Sequence, residues 1–273
     1  MKVYRSKKAG KMLSKTYDCL LDQWKVGFKQ IDVETRYGLT HVIECGDRKA
    51  DPLILFHGVG DDSALMWVYN MGALAEHFHI FAIDTMGGPG KSRPNSSYNK
   101  DFDQVLWIDD TLDSLNIESG YMAGVSNGGY MVQRYTIERS DRVRKSVCMS
   151  SSIFDEVNEN PMKTMMKVFL PEALFPTDKN VVKLIKKLSG AHSKVFTEND
   201  LIMEHYKWLL KGFNNMAMRF HRIEMFSPDQ IRLLVGKTMF ICGGMDPMGD
   251  TSKAIGKFEE YGIIYRIFED AGH

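Results

Sequence analysis

Three continuous apolar runs in the first half of the chain each end in a glycine-rich loop. Pro52-Leu53-Ile54-Leu55-Phe56 leads into His57-Gly58-Val59-Gly60, and His79-Ile80-Phe81-Ala82-Ile83-Asp84 into a loop spanning Gly87, Gly88, Pro89, Gly90 and Pro94. A shorter run, Tyr121-Met122-Ala123, leads into Gly124-Val125-Ser126-Asn127-Gly128-Gly129. Runs of this kind predict strands buried on both faces. A further strand is expected over 143–149. Between them apolar positions recur at helical spacing. One helix is expected after the N-cap candidates Asp61, Asp62 and Ser63, through Met66, Trp67, Met71, Leu74 and Phe78. Others are expected over 102–115 and 130–137. Strands alternating with helices predict a parallel sheet wrapped on both faces.

Upstream, 28–35 and 39–44 alternate about Tyr37-Gly38 and predict an antiparallel pair. Met12, Tyr17, Leu20, Leu21 and Trp24 form a helical stripe over 11–25, expected on the outside of the fold. After Ser152 the rhythm breaks. Residues 153–234 carry helical periodicities only. Met162, Met165, Met166, Val168, Phe169 and Leu170 form one patch, and Trp208, Leu209, Leu210, Phe213, Met216 and Met218 another. Thr238-Met239-Phe240-Ile241-Cys242 resumes the sheet, followed by a helix over 252–261 and a strand over 263–268. The pattern predicts an α/β core made of 1–152 and 235–273, interrupted by a helical cap at 153–234.

Composition narrows the partners. The 273 residues are 44% hydrophobic and 26% charged, ordinary for one globular α/β domain. Lys plus Arg and Asp plus Glu are both 35, so no net field recruits nucleic acid or an anionic membrane, and a small-molecule substrate fits better. The four cysteines are far apart in sequence and form no metal or redox pair; Cys148 and Cys242 fall in strand-like runs. No apolar run is long enough to span a bilayer and the first twelve residues lack a signal-like apolar core, so a cytoplasmic, reducing setting is expected.

The candidate chemistry sits at strand ends, the edge along which open α/β sheets bind ligands. Ser126 lies where a strand turns into a helix, framed by Gly124 and Gly128, as a nucleophile elbow requires. A serine hydroxyl needs a base, for which His273 is the candidate; an imidazole needs its tautomer fixed and its charge offset, for which Asp246 is the candidate. Asp250, one helical turn later, is a rival acid. A tetrahedral oxyanion needs donors aimed in advance, and the N–H groups of Val59 and Asn127 stand at the two expected positions. Other readings compete. Ser126 alone could be an N-cap, and Asp246 before Pro247 a turn residue. His57 is expected to brace its loop, and His41, His77, His79, His192, His205 and His221 show no ligand spacing. The loop at 87–92 lacks the spacing of a P-loop. Lys183, Lys186 and Lys187 are expected on the wet face of a helix.

Taken together, His57-Gly58, Asp84 with Gly90 and Ser92, Gly124-Val125-Ser126-Asn127-Gly128-Gly129, and Asp246 with His273 resemble the α/β-hydrolase family over about 28–273. Thr35-Arg36-Tyr37-Gly38 and Thr40-His41-Val42-Ile43 are similar to bacterial carboxylesterases of the naproxen-esterase type. The resemblance implies a mostly parallel eight-stranded sheet, a helical cap and ester hydrolysis through an acyl-enzyme with no metal or other cofactor. Serine at the elbow separates the chain from the dehalogenase and epoxide-hydrolase relatives, which place aspartate there. Family members continue past the histidine into a final helix, so His273 at the end of this sequence is expected to be held by little. Two alternatives stand beside the esterase: a carbon–carbon bond hydrolase or amidase with the same triad, and a ligand-binding relative without turnover.

Overall fold

The structure, a computed structural model, describes residues 2–154, 161–170 and 172–273, with the side chains of 161–163 not included. Strands β1 (Phe28–Thr35), β2 (Gly38–Cys45), β3 (Pro52–Phe56), β4 (His79–Ile83), β5 (Arg93–Pro94), β6 (Gly120–Val125), β7 (Val143–Met149), β8 (Thr238–Gly243) and β9 (Ile264–Phe268) form one sheet. Eight of them run in the order β1-β2-β4-β3-β6-β7-β8-β9. The ninth, β5, corrects the expected count: Arg93 and Pro94 pair with Leu39 and Gly38 of β2. β1 to β2 and β2 to β4 are antiparallel; from β4 across to β9 every pairing is parallel.

The alternation of side chains along the central strands divides the core in two. Leu53 and Leu55 of β3 face one way with Ala123 and Val125 of β6, against Leu20, Trp24 and Trp67. Ile54 and Phe56 face the other way with Met122, against Trp107, Tyr130 and Tyr135 of the helices Gln104–Ser114 and Asn127–Glu138. Both faces are therefore dry, as their uninterrupted apolar sequence requires.

Two helical expectations change. The N-terminal helix runs Lys7–Leu21, not 11–25, because Ser6 accepts the Ala9 N–H and caps it four residues earlier; a single 3₁₀ turn, Asp22–Trp24, ends it. It is also no outer decoration. Trp24 is buried and donates Nε1–H to Ala64 O at 3.0 Å, and the stripe of Leu13, Tyr17 and Leu20 is covered. Its cover is the insertion helix Asp200–Gly212, whose Ile202 and Leu209 join the same core. A Cβ on Gly212 would lie 2.7 Å from Ala9 Cβ, so the axes are as close as their side chains permit. The helix expected after Asp62 is broken into Ser63–Met66 and Met71–Leu74 by tight turns at Val68 and Asn70. The break lets both Trp67 and Met71 reach the core.

The described part of 153–234 is helical, with helices Pro161–Phe169, Asp178–Leu188, Lys194–Thr197, Asp200–Gly212 and Pro228–Arg232. Residues 155–160 and 171, and the side chain of Met162 from the first Met patch, lie outside the described residues. Of the rest, Met166 and Met216 are exposed, while Val168, Leu209, Phe213 and Met218 are buried. Lys183 and Lys187 are not simply solvated: both pair with the buried Glu172, at 2.7 and 2.8 Å, and hold its carboxyl down to a pKa of about 2.

Candidate active site

Ser126 follows β6 directly and precedes helix Asn127–Glu138, with φ 55° and ψ −116°. A non-glycine residue in that region is strained, and its surroundings hold it there. A Cβ on Gly124 would lie 2.2 Å from Gly128 O, and one on Gly128 2.3 Å from Phe56 O, so only glycine lets strand, helix and β3 meet this closely. The Ser126 N–H donates to Met149 O of β7 at 2.9 Å, and Ser126 O accepts from Tyr130 N–H at 3.1 Å. The serine is thus tied to a strand on one side and a helix on the other.

The loop after β8 carries Asp246, whose Oδ2 lies 2.8 Å from His273 Nδ1. Its Oδ1 accepts the Met248 N–H at 2.8 Å, so both carboxylate oxygens are engaged. Asp250, the rival acid, instead caps helix Thr251–Tyr261 by accepting the Lys253 N–H. With Nδ1–H donating to Asp246, His273 Nε2 is left as an acceptor. The expectation that this histidine is held by little is corrected. Its N–H donates to Leu188 O at 2.6 Å, and its carbonyl accepts from Ser150 Oγ at 2.9 Å. Ser150, at φ 47°, was not singled out by its sequence context; it follows the strand to which Ser126 is bonded.

Asp246 and His273 are therefore closed into a pair. Ser126 follows β6, Asp246 follows β8 and His273 follows β9, all at the same edge of the sheet, and among the described residues Ser126 Oγ makes no hydrogen bond. Catalytic contacts of this kind commonly tighten only around substrate. Asn127 opens the elbow helix, and Val59 lies in the loop after β3. Among the described residues neither main-chain N–H is taken up by a protein acceptor. Gly58 brings that loop against the elbow: a Cβ there would lie 3.5 Å from Ser126 Cβ. His57 is buried behind it, donating Nδ1–H to Gly58 O at 2.8 Å and accepting the Thr85 N–H at Nε2, 2.9 Å away, which makes it a loop brace. Asp84 is also structural: its carboxylate accepts from Tyr17 Oη and from the Ser63 and Lys91 N–H groups.

Two acids in the same loop behave oppositely. Burial and the neighbouring Asp62 charge push Asp61 up to about 7. Asp62 is fully buried, which acts to raise its pKa, but His205 and the Leu65 N–H outweigh that and hold it below the usual carboxylate range. A cavity of about 250 Å³ lies under His273, lined in part by Trp67, Met149, Ile241 and Phe268; Ser126 is not among its lining residues. Among the described residues no three His, Cys, Asp or Glu side chains are grouped to hold a metal ion.

Residues 51–201 match the family model described as alpha/beta hydrolase fold. The chain belongs to the α/β-hydrolase family. Among curated relatives it is 34% identical to carboxylesterase YbfK of Bacillus subtilis over 142 residues, 52% of this chain and 48% of YbfK. It is 33% identical to the B. subtilis protein named uncharacterized carboxylesterase nap over 135 residues, 50% of this chain and 45% of that one. The chain thus spans about half the length of the curated relatives it matches. The crystal structure of naproxen esterase from B. subtilis superposes with a TM-score of 0.83 over 98% of this α/β-hydrolase and 93% of that chain, at 22% identity, a likeness of fold. Among the described residues no helix is long and apolar enough to cross a membrane.

Proposed function

We propose that this α/β-hydrolase is a serine carboxylesterase acting on small to medium, largely apolar esters. The observation that carries the reading is the 2.8 Å bond from His273 to Asp246, at the same sheet edge as a serine held at φ 55°. Ser126 Oγ attacks the ester carbonyl while His273 Nε2 takes its proton; Asp246 offsets the imidazolium charge. The Val59 and Asn127 N–H groups receive the oxyanion. As the tetrahedral adduct collapses, His273 returns the proton to the leaving alkoxide, leaving an acyl-Ser126. Water, deprotonated by the same imidazole, then releases the acid and restores the serine.

In this reading residues 1–152 and 235–273 form the catalytic core and 153–234 a cap that bounds the substrate site. Four free cysteines and the absence of a membrane-length helix among the described residues favour a cytoplasmic setting. The similarity to two proteins named carboxylesterase supports ester over amide or carbon–carbon bond cleavage.

Intact-mass analysis after fluorophosphonate treatment tests the nucleophile. One adduct is expected on the parent chain and none on Ser126→Ala, with ester turnover in the variant reduced at least about 10⁴-fold. A parent chain that takes no adduct, or that keeps ligands unchanged across an ester panel, overturns the reading.

A further inference from the structure

The loop that carries the Val59 N–H is poorly packed along its middle. Val59 is 42% exposed, and a Cβ added to Gly60, at φ 76°, would meet nothing within 4 Å. Its geometry must therefore be set at its two ends. One end is His57, already described. The other is Asp62, and what holds Asp62 comes from outside the sheet.

Asp62 and His205 are both fully buried, with Asp62 Oδ2 2.8 Å from His205 Nε2. Asp62 Oδ1 accepts the Leu65 N–H at 3.1 Å, capping the short helix after the loop. The other imidazole nitrogen, Nδ1, lies 2.7 Å from Thr16 Oγ1, which itself bonds Met12 O at 3.0 Å. Three separate segments meet here: the oxyanion loop, the N-terminal helix and the insertion helix Asp200–Gly212. A wholly buried acid–imidazole pair is a costly way to join apolar elements, because two polar groups give up water where well-packed hydrocarbon would serve stability as well. What such a pair supplies instead is one fixed distance and direction. An apolar contact would let the loop slide.

We propose that the Asp62–His205 pair, braced by Thr16, positions the Val59 N–H, so that the insertion helix fixes one side of the oxyanion hole. His205 and Asp62 are positioning residues: neither touches substrate. The inference rests on the esterase reading. It says that correct placement of a donor which matters only when charge develops depends on a side chain from the proposed cap.

The test compares the parent chain with His205→Ala, His205→Gln and Thr16→Val in ester turnover, together with inhibition by a trifluoromethyl ketone, which forms a tetrahedral oxyanion on the serine. His205→Ala is expected to lower kcat about 10- to 100-fold with KM within about 2-fold, and to weaken the ketone by a similar factor. Glutamine, which can still donate to Asp62, is expected to restore most of the loss. Parental kcat and ketone affinity in a folded but less heat-stable His205→Ala would overturn the positioning role, as would a loss confined to KM. If the alanine variant does not fold, Thr16→Val decides: a several-fold lower kcat at unchanged KM supports the role, and parental kcat overturns it. A parent chain that takes no fluorophosphonate overturns the esterase reading and this inference together. A parent that is labelled and turns over ester while the variants match it overturns the inference alone.

Discussion

Asp246 and Asp250 are four residues apart and chemically identical, yet only one faces the imidazole. Asp246→Asn is expected to lower kcat for an ester about 10³- to 10⁴-fold, because an amide neither fixes the productive tautomer nor offsets the imidazolium. Asp250→Ala is expected to leave kcat unchanged and to cost about 1 kcal/mol of stability through the lost cap. Steady-state kinetics paired with urea unfolding check both. The sequence favoured Asp246 and kept Asp250 as a rival, since the placement of each carboxylate depends on which one the turn after β8 directs inward. Ser126 was legible because its requirement is local: two glycines, at 124 and 128, must flank it. Asp62 and His205 were not. A histidine among Ile202 and Leu209 reads in sequence as one more covered position, and its partner lies 143 residues away.

The elements whose ends were legible are those with one solution. β3 and β4 coincide with their apolar runs to within a residue, because a strand buried on both faces stops where its apolar residues stop; β7, whose Arg144 and Lys145 are exposed, also occupies the expected 143–149. Helices with one wet face were less constrained. The N-terminal helix began earlier than expected at its Ser6 cap, and the stretch after Asp62 split in two to bury Trp67 and Met71. Between elements, the chain before His273 closely approaches Gly243, the last residue of β8, where an added Cβ would lie 2.2 Å from Gly272 O. Gly243→Ala must push the chain before His273 away from the Asp246 loop. It is expected to lower kcat at least about 10-fold, an effect of misplacement alone, while Ser126 remains in its elbow. Stopped-flow labelling with fluorophosphonate, slowed in this variant but still stoichiometric, is the check.

For the molecule as a whole, Asp61 in the loop after β3 links protonation to stability. Asp61 binds its proton more tightly folded than unfolded, having a pKa of about 7 against an ordinary 3.8. A raised carboxyl pKa contributes stability that is fully present below the unfolded value and is lost as pH rises through the folded value. Replacement by Asn keeps the acceptor for the Asp62 N–H and removes the titration. The stability of Asp61→Asn relative to the parent is expected to rise with pH between 5 and 7, by at most about 1.4 kcal/mol per pH unit, and to level off above 7. Because the side chain retains some contact with solvent, the slope should fall below that limit. Urea denaturation across pH 5 to 8 measures it, and a flat difference would contradict the assignment. At this scale the overall architecture was readable from the alternation of strands and helices, apart from β5. A two-residue strand made of Arg93 and Pro94 has no periodicity to detect.

The chain end that carries His273 is stitched to the segment that follows helix Asp178–Leu188. Beyond the bond from His273 N–H to Leu188 O, Ala191 N–H donates to Asp270 O and Gly190 pairs with Ala271. Access and reactivity therefore share a joint. A shift of residues 188–191 would carry the His273 backbone with it, so the placement of the imidazole depends on a segment that lies outside the sheet.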